Sequence, residues 1–258
     1  MDFSQIEVTV DGARAAITLN RPDKLNPLST TALRELAQAA RQLDTLAGVK
    51  VVVIAGRGRA FSAGADLASF ASAPEDGLSP REAADTGRQM AEAIEAMRAV
   101  TVARIHGHCV GGGVVLAAAC DLRIAADDTR FSIPEVDLGI PLTWGGIPRL
   151  VREIGAARTK ELVMTCRPFS AGEALAMGFL NRVVVASELD SAIDELVTTL
   201  TGKSALTLTA TKRHTNAVAD GMVGTARAWN DADSLVSALG DAESRAAALA
   251  YLERLGHR

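Results

Sequence analysis

Two glycine-rich stretches of this chain leave backbone groups free to do chemistry. Arg59-Ala60-Phe61-Ser62-Ala63-Gly64-Ala65-Asp66-Leu67 follows an apolar run and puts small residues where a backbone can approach a ligand closely. Ile105-His106-Gly107-His108-Cys109-Val110-Gly111-Gly112-Gly113-Val114-Val115 reads as a strand end, a turn through three glycines and the start of a helix of small residues. Unbonded amides and the positive end of the helix dipole gather at such a turn, so an oxyanion is stabilised there without a charged side chain. An enolate beside a carbonyl is such an anion. By itself the triple glycine serves close strand-on-helix packing equally well. It is neither G-x-G-x-x-G nor a loop ending in Gly-Lys-Ser/Thr, which argues against a phosphate cradle.

The side chains near these stretches narrow the chemistry. Glu135, after Pro134, is the candidate base; Asp137 is a weaker second acid, pointing the same way only if the segment is a regular strand. His106 and His108 flank Gly107 but lack a third ligand at regular spacing, so packing or hydrogen bonding is the expectation. Ala60-Phe61-Ser62-Ala63-Gly64 approaches the G-x-S-x-G elbow of serine hydrolases, and Ala60 breaks it. Cys109, Cys120 and Cys166 are odd in number and without CxxC spacing, as for buried reduced thiols.

The elements that must position these residues follow from periodicity. Alternation predicts a hairpin at 6–10 and 15–19 around Asp11-Gly12, and Ser29 caps a helix to about Leu46 whose apolar face carries Leu33, Leu36, Ala40 and Leu43. A buried strand at 51–55 leads into the first glycine-rich stretch, and Ser79 or Asp85 starts a helix to about Arg98. Strands at 102–105, 121–125 and 130–132 surround a small-residue helix at 111–119, and residues 71–80 read as a loop. Beyond Gly145 the pattern is helical (156–165, 171–177, 188–200, 204–219, 226–239, 242–255) with one strand at 181–185. We expect an α/β core over residues 1–195 and a C-terminal helical region over 196–258 that packs on the core or on a neighbouring subunit. A chain of 258 residues with a net charge of −4 lacks the basic excess of a nucleic-acid binder, and its apolar runs are too short to span a membrane. With no basic and apolar leader at the N-terminus, the expected location is the cytoplasm.

Together with Asp121-Leu122-Arg123-Ile124-Ala125 and Phe131-Ser132-Ile133-Pro134-Glu135-Val136-Asp137-Leu138-Gly139, the two glycine-rich stretches resemble the enoyl-CoA hydratase/isomerase family, the crotonases. The resemblance covers roughly the first two-thirds of the chain, runs through Gly145-Gly146 and Arg149-Leu150, and continues more loosely through 171–181 and the C-terminal helices. It implies a crotonase-like spiral of ββα units, an acyl-CoA substrate with no cofactor beyond its coenzyme A moiety, and a homotrimer or homohexamer. Carried over by position, the oxyanion amides fall on Ala65 and Gly112. Lys24, Leu25, Ala63, Asp66, Leu67 and Ala68 fall at the coenzyme site, with Ala68 standing where relatives often have a lysine.

Hydratases of the family position their water with two glutamates. Here the first of those positions is Val115 and only the second, Glu135, is acidic. One base beside an oxyanion hole suits double-bond isomerisation, in which a proton leaves the α-carbon and returns at the γ-carbon. The alternatives are an enoyl-CoA hydratase of fatty-acid β-oxidation, using Asp137 or an ordered water, and a non-catalytic acyl-CoA-binding protein. Trp144 stands where the family has small residues; it either reshapes one wall of the acyl pocket or packs in the core.

Overall fold

The structure, a computed structural model, describes residues 2–66, 77–228 and 230–256. Strands β1 (Ile6–Asp11) and β2 (Arg14–Leu19) form an antiparallel hairpin whose turn uses Gly12 at φ 56°. Beside β2 lies β3 (Val51–Gly56), parallel and buried along its whole length, which is why its sequence is apolar without alternation. β4 (Val100–Ile105) continues the parallel sheet.

Past Gly107 the chain leaves this sheet for a second one, through β5 (His108–Val110). A Cβ on Gly107 would lie 2.0 Å from the Arg59 carbonyl oxygen, so only glycine allows that crossing. β6 (Leu122–Ala126) and β7 (Arg130–Ser132) repeat the step, β8 (Phe169–Ser170) pairs antiparallel with β7, and β9 (Arg182–Val184) closes the edge of the first sheet. The strand order is β1-β2-β3-β4-β6-β9 in the large sheet and β5-β7-β8 in the small one. Earlier turns of the same staircase are reduced to isolated parallel bridges, Leu28 to Ala65 and Ser62 to Cys109. Each unit therefore sends one segment to each sheet and then a helix, which makes the core a spiral.

The helices after the first two units are α1 (Thr30–Asp44) and α2 (Pro80–Glu95), packed on one another. Ser29 caps α1 by accepting the Ala32 amide at 3.2 Å, and Leu33, Leu36, Ala40 and Leu43 are buried. For α2 the start is Ser79, held by a reciprocal capping box with Glu82. The third unit gives α3 (Gly112–Ala118) and the fourth α4 (Gly146–Ile154). Sequence reasoning passed over α4, β5 and β8, which are too short or too glycine-rich to show a period. Of the expected loop at 71–80, residues 71–76 lie outside the described residues.

The remaining helices are α5 (Ala156–Thr165), α6 (Ala171–Met177), α7 (Leu189–Thr201), α8 (Ala205–Met222), α9 (Asp231–Gly240) and α10 (Ala242–Gly256). α7 runs through residue 195 and lays Leu189, Ile193 and Val197 on the outer face of the large sheet, against Val51, Val53, Val102 and Ile124. α8 is pinned by Lys212, whose Nζ donates to the Ala99 carbonyl at 3.0 Å and pairs with Asp121 at 2.8 Å. The helix expected over 226–239 begins only at Asp231, because that carboxylate accepts the Gly145 amide at 2.8 Å and the turn before it is 3-10. α9 packs on α2, with an ion pair between Arg81 and Asp233 at 2.7 Å. Among the described residues no helix is long and apolar enough to cross a membrane.

Candidate active site

Bridge alternation aims the first amide. The pairing of Leu28 with Ala65 uses the Gly64 carbonyl (2.8 Å) and the Asp66 amide (3.1 Å), so the Ala65 N–H between them turns the other way. Ala65 also lines a small cavity. Gly112, the first residue of α3, lines the same cavity, and its amide belongs to the first helical turn, where no intrahelical acceptor exists. The two segments are locked together at Gly64, where an added Cβ would lie 2.7 Å from the Val110 carbonyl oxygen.

Glu135 comes to the cavity from the turn after β7, in which the Leu138 amide bonds to the Pro134 carbonyl and the Ile140 amide to the Glu135 carbonyl. Its Oε1 lies against the triple glycine: a Cβ on Gly111 would be 2.3 Å from it. Among the described residues its buried Oε2 has no hydrogen-bond partner. Burial without a cation raises the carboxyl from 4.5 to about 7, its own backbone amide offsetting only part of the shift. Such a group exchanges protons near neutral pH. One turn along α3, Val115 presents an apolar wall to the same space.

Ile140, Leu142, Thr143, Trp144 and Leu235 of α9 also line it, and the free cavity among the described residues is about 20 Å³. Only about one water fits there. Trp144 is buried at φ 61°, its ring against Gly112.

Of the residues singled out in the sequence, Ala65, Gly112, Glu135 and Trp144 meet around this cavity. Lys24 and Leu25 do not line it. They belong to a turn stitched to the first amide segment, with Ala63 donating to the Leu25 carbonyl at 2.8 Å, and Lys24 is exposed there. Asp66 is paired with Arg21 at 2.9 Å, which ties the two loops together. Leu67 and Ala68 lie outside the described residues. Asp137 is not beside Glu135: the segment is a turn and not a strand, so its side chain is exposed, 3.8 Å from Arg254.

The competing nucleophiles and ligands are otherwise engaged. Ser62 donates to the Asn26 carbonyl at 2.8 Å and accepts the Gly64 amide at 3.1 Å. His106 Nε2 donates to the Gly58 carbonyl at 2.8 Å while Nδ1 faces Arg104 at 3.0 Å, and burial lowers its pKa. Cys109 and Cys120 are buried free thiols, and burial pushes Cys120 up to about 12; Cys166 is half-buried. Among the described residues no group of three His, Cys, Asp or Glu side chains could hold a metal ion. Sequence reasoning missed Leu235 as a cavity residue. Gly87, interrupting the apolar pattern of α2, was the legible signal that something packs there.

A sequence profile for enoyl-CoA hydratase/isomerase matches residues 10–257. The chain is 35% identical over 218 residues to the peroxisomal Δ(3,5)-Δ(2,4)-dienoyl-CoA isomerase of Arabidopsis thaliana, covering 80% of this chain and 78% of that one. It is 30% identical over 217 residues to the short-chain-enoyl-CoA hydratase of Clostridium acetobutylicum, covering 84% and 82%. A solved structure of a Thermobifida fusca YX protein in complex with acetoacetyl-CoA matches with a TM-score of 0.78 at 31% identity, covering 89% of this chain and 93% of that one. The spiral is thus the crotonase fold, built for coenzyme A thioesters. The chain belongs to the enoyl-CoA hydratase/isomerase family and is an enzyme.

Proposed function

We propose that this enzyme moves the double bond of a 3-enoyl-CoA to the 2-position, with Glu135 as the only base. The thioester oxygen accepts the Ala65 and Gly112 amides, and the Glu135 carboxylate takes the α-proton. The electron pair spreads over the dienolate, and the same carboxyl returns the proton at the γ-carbon. No electrons leave the substrate, and nothing beyond its coenzyme A moiety is needed. The observation that carries this reading is a buried carboxyl raised to about 7, whose Oε2 has no hydrogen-bond partner among the described residues and which shares the cavity with Val115. The relative named a dienoyl-CoA isomerase agrees with it.

Hydration is the second reading, favoured by the relative named a hydratase and by a cavity of about 20 Å³ beside Glu135 that suits one water. Coenzyme A contacts are proposed at Lys24, Leu25, Ala63, Asp66, Leu67 and Ala68. The exposed Leu206, Val218 and Met222 of α8 suit the assembly of residues 196–258 into a homotrimer or homohexamer. A cytoplasmic location remains part of the proposal.

The test offers 3-butenoyl-CoA and crotonyl-CoA side by side in heavy water. Isomerisation of the first, with deuterium entering the product and a drop of about 10²–10⁴-fold in Glu135→Gln, is the expected result. Rapid hydration of crotonyl-CoA with negligible isomerisation overturns it in favour of the hydratase. Tight binding of both thioesters with no reaction or exchange would overturn both readings of the reaction.

A further inference from the structure

We infer that Trp144 is a fixed stop that restricts this enzyme to short acyl groups. The inference rests on the reading of the cavity as a thioester site and adds the substrate class. Three observations carry it. The indole spans the space between α2 and α3: a Cβ on Gly87 would lie 2.1 Å from its Cδ2 and 2.3 Å from Cδ1, and a Cβ on Gly112 would lie 2.2 Å from Cζ3. The five-membered ring therefore fills the slot left by Gly87 in mid-helix, and the far edge of the benzene ring touches the residue whose amide is to hold the thioester oxygen. A glycine in the middle of α2 weakens that helix, and the indole seated there gives it a packing reason.

The second observation is that the ring is held and does not hang free. Trp144 and Gly145 are successive left-handed residues, φ 61° and 70°, a backbone that bulky side chains rarely adopt. Arg149, wholly buried, donates to the Trp144 carbonyl at 3.4 Å and to that of Gly145 at 3.1 Å, and Asp231 of α9 accepts the Gly145 amide at 2.8 Å. α4 and α9 thus fix the turn from two sides. Third, the free space that remains beside Ala65, Gly112 and Glu135 is about 20 Å³. Among the described residues, the indole, Leu142 and Leu235 are what carbons added to the acyl end would meet.

An acyl pocket with room rewards each added methylene by roughly fourfold in affinity. Isothermal titration of the enzyme with acetyl-, butyryl-, hexanoyl- and octanoyl-CoA reads this directly. None of these saturated thioesters can be isomerised or hydrated, so the length series and the reaction test fail independently. We expect affinity to stop rising or to fall beyond butyryl-CoA. In Trp144→Ala, or in Trp144→Leu should the smaller residue not support folding, octanoyl-CoA should tighten at least tenfold relative to butyryl-CoA. A wild-type enzyme whose affinity climbs steadily to octanoyl-CoA overturns the proposal. So does a Trp144 variant with an unchanged length profile.

Discussion

Buried charge is handled in opposite ways on the two sides of Trp144. Behind the tryptophan turn, Glu95 of α2 bridges Arg149 and Arg152 of α4, at 2.6 Å to Arg152, and Arg152 reaches Asp220 of α8 at 3.2 Å. In front of the turn, Glu135 is buried and, among the described residues, is paired with no cation. Paired charge in a low-dielectric interior holds helices at fixed positions, because a partner removed leaves an uncompensated ion. Unpaired charge gives up stability and keeps a proton exchangeable at neutral pH. The first arrangement builds the pocket wall and the second supplies its chemistry.

The contrast breaks most visibly through Glu95. Its replacement by alanine should destabilise the protein by about 3–5 kcal/mol in urea unfolding, since Arg149 is left buried without its carboxylate. A loss below about 1 kcal/mol would show that the network is ornamental and that Trp144 is held by other means.

Glu135→Gln should act in the opposite direction. The folded carboxyl titrates near 7 and the unfolded one near 4.5. The unfolded chain therefore gives up its proton first, and stability falls as pH rises from about 4.5 through about 7. Relative to wild type, the glutamine variant should gain on the order of 3 kcal/mol between pH 4 and pH 8. The wild-type kcat/KM should rise about tenfold per unit below pH 7 and level off above it, as a base with that pKa requires. A variant whose stability relative to wild type is the same at both pH values would mean that Glu135 finds a cation in solution, and the comparison would lose its second half.

Asp137→Asn marks the small end. Exposed and 3.8 Å from Arg254, Asp137 makes at best a surface ion pair, so the substitution should change stability by less than about 1 kcal/mol. Isomerisation should stay within twofold of wild type. A large loss of rate would return Asp137 to the site as a second acid.

What could be read in the sequence was whatever is settled within a few residues. Ser29 before an apolar face predicts α1, the unbroken apolar run predicts β3, and three glycines after a strand predict a turn with free amides. The ordered motifs around Ala65, Gly112 and Glu135 identify the family, and the resemblance sets Val115 where a second acid is expected. Weak local signals failed where tertiary contacts took over: α4 has a glycine-rich start, and the helix expected from 226 begins at Asp231 because that carboxylate bonds to Gly145.

Sequence alone therefore determined which groups are present, because motif spacing and helix or strand period are properties of neighbouring residues. It placed Trp144 in doubt between pocket and core. Only the tertiary structure decided that the indole is both, wedged between Gly87 and Gly112. Only the tertiary structure buried Glu135 and so raised its pKa. Desolvation and van der Waals contact depend on atoms brought together from distant parts of the chain, and no local pattern records them.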